Sequence, residues 1–225
     1  MARKGCRERA AQSLGRGQRP GGVSVVNRRE ILAALPDERD QLVSDLRTIA
    51  PADWERPSLC EGWAVRDVVG HLIRVWTSWQ RGVPIVIGLL RHGFRPNVWI
   101  RSDARRRAAG RSPDSLITDL AATQSETSIG ARFHPLAGIS ISEWVIHGQD
   151  IRRPLGIRPP LSTERLITVA DTLTARLPYP LGRARRSPRR YEATDADWSW
   201  GAGEVVRAPL EEIVMRLAGR HVDGR

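Results

Sequence analysis

Apolar residues return every three or four positions along most of this chain, the period of helices with one buried face. Ile31, Leu32 and Leu35 share a face behind Asn27, a fair N-cap, and Leu42, Val43, Leu46 and Ile49 carry the stripe on to Pro51. Pro36 within it allows either a kink or the first turn of a new helix. After a loop over 51–62, Val65, Val68, Val69, Leu72, Ile73, Val75 and Trp76 predict a second helix over 64–80. Residues 81–111 read as irregular, broken by Gly82, Pro84, Gly88, Gly93 and Pro96, with room for a short apolar helix over 84–91. Ser112-Pro-Asp-Ser has the cap, the first-turn proline and the acid of a helix start, and its helix extends through Leu116, Ile117 and Leu120 to about Ser128. A loop holding His134-Pro135 precedes a helix over 139–153, and another starts at Ser162-Thr-Glu and ends before Pro178 and Pro180.

The character then changes. Two runs from Tyr191 to Trp200 and from Glu204 to Arg207 flank Gly201-Ala-Gly203, the pattern of a hairpin or two short strands, and Pro209 opens a last helix closed by Gly219. A mainly α chain follows, a bundle of four to five helices with a small β-β-α appendage. Residues 1–26 lack any sustained apolar period and are expected to be disordered.

At 225 residues, one domain with an appendage is expected. Cys6 and Cys60 are the only cysteines, too few for a disulfide framework, and a reducing interior is the natural setting. The longest apolar run, 83–90, is far short of the ~20 residues a membrane span needs, and no early segment reads as a signal peptide, so a cytoplasmic protein is expected. The formal charge of +11 suggests nucleic acid until its placement is considered. Arginine-rich segments at 1–22, 101–111 and 181–190 hold more than all of the excess, and the remaining body is slightly acidic. Lys4 is the only lysine among 36 basic residues, which reads as coding composition rather than selection for phosphate contacts. No nucleic-acid partner is therefore expected.

The candidate chemistry lies in the helix over 139–153. Glu143 and His147 are four apart and Asp150 follows three later, offsets that share one helix face. His71, within the apolar stripe of the second helix, could meet them inside a bundle, where inward positions on facing helices build metal sites. Two imidazoles and a carboxylate leave one position of a tetrahedral ion open, the arrangement of catalytic zinc. Asp67 and Asp150 are candidates to accept the free imidazole N–H groups. On spacing alone, a histidine satisfied within the core and a surface Glu-His pair stand beside the metal reading. His92, His134 and His221 fall in predicted loops or at the terminus, and Cys60 reads as a small buried thiol with no recognisable base near it.

Three runs in order carry a resemblance. Trp54-Glu-Arg-Pro-Ser-Leu-Cys-Glu-Gly-Trp-Ala-Val-Arg-Asp-Val-Val-Gly-His-Leu72 and Glu143-Trp-Val-Ile-His-Gly-Gln-Asp-Ile-Arg-Arg-Pro-Leu-Gly156 resemble the two metal segments of the mycothiol-dependent maleylpyruvate isomerase family, among the DinB-like bundles. Ala193-Thr-Asp-Ala-Asp-Trp-Ser-Trp-Gly-Ala-Gly, with Val206-Arg-Ala-Pro-Leu and Leu217-Ala-Gly-Arg220, resembles its small sterol-carrier-like C-terminal part, although Ala208-Pro209 stands where Gly-Pro is usual. The resemblance implies a DinB-like up-down four-helix bundle over 27–176 with a small α/β part over 177–225. It implies Zn²⁺ or another divalent ion on His71, Glu143 and His147, and mycothiol as the reacting thiol in a transfer or isomerisation on a small electrophile. Arg220 and Arg101 become candidates to assist an anionic substrate. The chain is expected as a monomer or homodimer. A DinB-like module that binds metal without catalysis, in a regulatory or sequestering role, is the alternative.

Overall fold

The computed structural model describes residues 28–78, 96–123, 134–175 and 188–221. The predicted tail over 1–26, the short helix over 84–91, His92 and most of the arginine run over 181–190 lie outside them. Within them the helices are α1 Arg28–Leu46, α2 Val65–Ser78, α3 Pro96–Ala108, α4 Pro113–Ala121, α5 His134–Arg152, α6 Thr163–Thr174 and α7 Leu210–Leu217. Pro36 lies inside a single continuous α1. The predicted caps form: the Ser112 side chain accepts from Ser115 N–H, and Ser162 accepts from Arg165 N–H.

Four helices close a ring, with α1 against α5 and α4, and α2 against the same two. Their inward faces are mainly apolar and buried, with Leu35, Leu42 and Leu46 from α1, Val65, Val68, Val69 and Leu72 from α2, Leu116 and Leu120 from α4, and Ile141 and Trp144 from α5. Outside the ring α3 packs on α2, and α6 packs on α5 and in turn carries α7.

Three expectations are corrected. Residues 96–108 form helix α3 instead of irregular chain. The apolar stripe is thin there because Ala104 and Ala108 do the packing that larger residues would announce, and both are buried. Gly70 on α2 is their counterpart: a Cβ on it would lie 2.7 Å from the Ala104 carbonyl oxygen. Gly70→Ala should therefore push α2 from α3 and cost about 1–3 kcal/mol, the usual range for overpacking. Urea unfolding measures it, and an unchanged midpoint would mean the two helices do not approach this closely.

His134, placed in a loop by its Pro135 neighbour, begins α5; a proline at the second helical position is compatible with a first turn. The C-terminal unit has three strands rather than two: β1 Arg189–Ala193, β2 Ser199–Gly201 and β3 Glu204–Ala208. β1 is central, antiparallel to β2 and parallel to β3. Tyr191, Trp198 and Ala208 of this unit join the same continuous core as the bundle. No helix among the described residues is long and apolar enough to cross a membrane.

Candidate metal centre

Two helices and two loops converge on one point. His71 comes from α2 and is 6% exposed, while Glu143 and His147 lie one turn apart on α5. His71 Nε2 and Glu143 Oε2 are 3.2 Å apart, and His147 Nε2 is 3.4 Å from the same oxygen. All three donor atoms lie within 4.8 Å of one another. Metal bonds of about 2.0–2.1 Å imply tetrahedral edges of about 3.3–3.4 Å. The two edges at the shared Glu143 oxygen match that spacing, and the histidine nitrogens lie within 4.8 Å of each other, so the residues fit one divalent ion.

The other nitrogen of His147 is held from behind. Nδ1 lies 2.8 Å from Asp150 Oδ2, so it donates to that carboxylate and Nε2 is left to face Glu143. Asp150 is fully buried. Its Oδ1 accepts from Arg220 Nε at 2.7 Å, and its Oδ2 accepts from Arg220 Nη2 at 2.7 Å and from the Cys60 thiol at 2.9 Å. Cys60 Sγ is also 3.7 Å from His147 Nδ1. Cys60, His147 and Asp150 form a second donor cluster, but Arg220 puts a cation on both Asp150 and Cys60. That charge disfavours an ion there and makes the cluster a support for His147.

A loop closed by the Pro57–Ala64 bridge brings Cys60 and Trp63 to the site. Leu59 N–H donates to the Asp150 carbonyl at 3.0 Å, which docks the loop on α5. Trp63 meets His71 edge to face at 5.3 Å between ring centres, and His71 meets His147 in the same way at 4.7 Å.

The electrostatics follow from this packing. Burial would raise the Glu143 carboxyl, but hydrogen bonds from His147 and His71 override it and hold it well below the usual carboxylate range. Burial would likewise lower His147, yet its bonds to Asp150, Cys60 and Glu143 leave it well above the ordinary imidazole value. Asp150 is lowered against the effect of burial by Arg220 and His147. Cys60 goes the other way, pushed up by burial and by the Asp150 charge.

The remaining sequence candidates have definite places. Asp67 accepts from Ala64 N–H at the start of α2, with Arg105 3.8 Å away. Arg101 donates to the Glu61 carbonyl at 3.1 Å, on the turn next to Cys60. Arg220 has a partner on each nitrogen, the third being the Ala218 carbonyl at 2.9 Å. His221 is exposed. Sequence reasoning missed Cys60 and Trp63 as parts of the site, since a base near Cys60 arrives only with the fold; their place in the Trp54–Leu72 run was the available signal.

Residues 35–135 match the family described as the mycothiol maleylpyruvate isomerase N-terminal domain. That span includes His71 and stops before Glu143 and His147. No curated protein matches the chain. Among solved structures, the crystal structure of the mycothiol-dependent maleylpyruvate isomerase aligns with a TM-score of 0.58 at 18% identity, over 88% of this chain and 91% of that one. A histidine-to-alanine mutant of the mycothiol-dependent maleylpyruvate isomerase aligns with a TM-score of 0.52 at 17% identity, over the same shares. These likenesses establish the fold.

Proposed function

We propose, for a chain whose resemblance to the mycothiol-dependent maleylpyruvate isomerase family holds in sequence over 35–135 and in fold over most of its length, a metal-dependent enzyme that joins mycothiol to a small electrophile. Zinc is the ion the donor set suits best, with His71, Glu143 and His147 as ligands. The observation that carries this reading is the spacing of those donors, 3.2 and 3.4 Å about a shared carboxylate oxygen.

A bound divalent ion supplies Lewis acidity that keeps a thiol ligand deprotonated at neutral pH. One carboxylate among the three protein ligands leaves the centre with net positive charge, which favours an incoming thiolate. Trp63 packs edge to face on the His71 ring, which puts an aromatic side chain beside the ligand set. Cys60 supports an external thiol. It is the one cysteine among the described residues, it is buried, and its pKa is raised, so it is held as a thiol donating to Asp150. Only a thiolate is a competent nucleophile. The chain therefore supplies the ion's ligands and the substrate thiol supplies the attacking sulfur.

In an isomerase of this kind the sulfur adds to a conjugated cis double bond, the former double bond rotates, and elimination of the same thiol returns the trans product. In a transferase the adduct is released. Both would use the ligand position that three protein donors leave to an incoming thiol.

The test is a metal-loaded activity screen of mycothiol against activated alkenes, maleylpyruvate and epoxides, beside a thermal shift titration with mycothiol. Turnover that needs mycothiol, with a dose-dependent rise in Tm, is expected. Metal-loaded protein that shows neither leaves a binding module in its place.

A further inference from the structure

We infer that the C-terminal unit is a positioning element of the metal centre, acting through Arg220 on Asp150 and through Asp150 on His147. The inference rests on the metal reading above. Asp150 Oδ1 takes one donor and Oδ2 takes three, and these come from α5, from the Cys60 loop and from the C-terminal segment. A carboxylate held by so many donors has one available orientation, and it passes that orientation to the His147 ring through Nδ1. Outer partners of this kind fix the ring and tautomer of a metal-bound histidine.

The chain builds the approach of Arg220 with care. Asp195 accepts from Leu210 N–H at 2.7 Å and fixes the start of α7. Glu211 in its first turn pairs with Arg153 at the end of α5 at 2.6 Å. At the other end Gly219 adopts φ +78° and Arg220 N–H donates to the Met215 carbonyl at 2.9 Å. That left-handed turn reverses the chain and returns Arg220 to Asp150. Ion pairs thus tie the first turn of α7 and the turn that follows its last residue to the C-terminal end of α5. The guanidinium fork that reaches Asp150 is committed to it, with Nε on one oxygen and Nη2 on the other, the bidentate geometry that a lysine cannot reproduce.

The test uses the full chain and measures Zn²⁺ affinity by chelator competition, with the visible spectrum of the Co²⁺-loaded protein as a geometric readout. Asp150→Asn should weaken Zn²⁺ binding about 10–100-fold, as loss of an outer partner does. Arg220→Gln should give a similar loss, and the double variant should be no worse than the more severe single one, since both act along one path. Gly219→Val, which touches none of the ligands, should also weaken binding and shift the Co²⁺ spectrum. If Asp150→Asn does not fold, Arg220→Gln and Gly219→Val decide. Arg220→Gln with wild-type Zn²⁺ affinity and an unchanged Co²⁺ spectrum overturns the inference, as do single losses that multiply in the double variant. Failure of the wild type to take up metal would instead overturn the metal reading itself.

Discussion

Alanine at either His71 or His147 should eliminate stoichiometric metal while leaving a folded helical protein. Each removes one of three protein ligands, so affinity should fall by more than the roughly 10–100-fold that follows loss of an outer partner. Elemental analysis after dialysis reads the result directly: one divalent ion per wild-type chain and none in the variants. Metal retained in both variants would place the ion elsewhere. The same centre predicts a pH dependence. In the metal-free protein the mutual hydrogen bonds favour the carboxylate form of Glu143 and the protonated form of His147. An ion can bind only the neutral imidazole, so metal uptake must release a proton. Affinity should therefore rise with pH until it passes the raised pKa of His147 and then level off. Calorimetry in buffers of differing ionisation heat detects that proton. The metal-free protein carries the opposite sign. A His147 pKa above its unfolded value of about 6.5 adds stability that is complete below that value and lost as pH rises through the folded pKa. Metal loading should remove this alkaline loss.

How much of this was legible in the sequence depends on the range of the interaction. Ser112 and Ser162 announced helix starts because a cap is a contact within four residues. Helix α3 was hidden because, apart from Trp99, its buried face is Ala104 and Ala108 against Gly70, and small residues leave almost no hydrophobic period. Glu143 and His147 could be paired from a four-residue offset, but nothing in the spacing says that His71, 72 positions earlier, lies 3.2 Å from Glu143. Asp150 looked like a neighbour of His147 and is one. Its ties to Cys60 and Arg220, 90 and 70 positions away, exist only once the bundle has closed and the C-terminal unit has packed on it. For the same reason Arg220, which the resemblance offers to a substrate, is found with every nitrogen occupied by protein.

The other large effect concerns a buried charge away from the metal ligands. Arg152, at the end of α5, is fully buried, and its Nε donates to Asp45 Oδ2 at 2.6 Å. Neither of its terminal nitrogens has a hydrogen-bond partner among the described residues. Among the described residues the Asp45 carboxylate is thus the one ionic counterweight to this buried guanidinium. Asp45 is less dependent on Arg152, since its side chain is 12% exposed and its other oxygen accepts from Gln41 at 3.1 Å. The two deletions should therefore differ. Asp45→Ala leaves an uncompensated buried cation and should cost about 3–5 kcal/mol, a large part of the roughly 5–15 kcal/mol that holds a domain together. At about 2–4 °C per kcal/mol for a chain of this size, Tm should fall by roughly 6–20 °C. Arg152→Met removes the cation, fills its space with apolar atoms, and leaves a carboxylate that still has Gln41 and some water, so its cost should be clearly smaller. The double variant Asp45→Leu/Arg152→Met should recover most of the stability lost in Asp45→Ala, because no charge then remains to be buried. Thermal and urea unfolding of the three proteins give the order. If Arg152→Met is the more damaging single change, the pair is held by the packing of the arginine stem, and the charge argument fails.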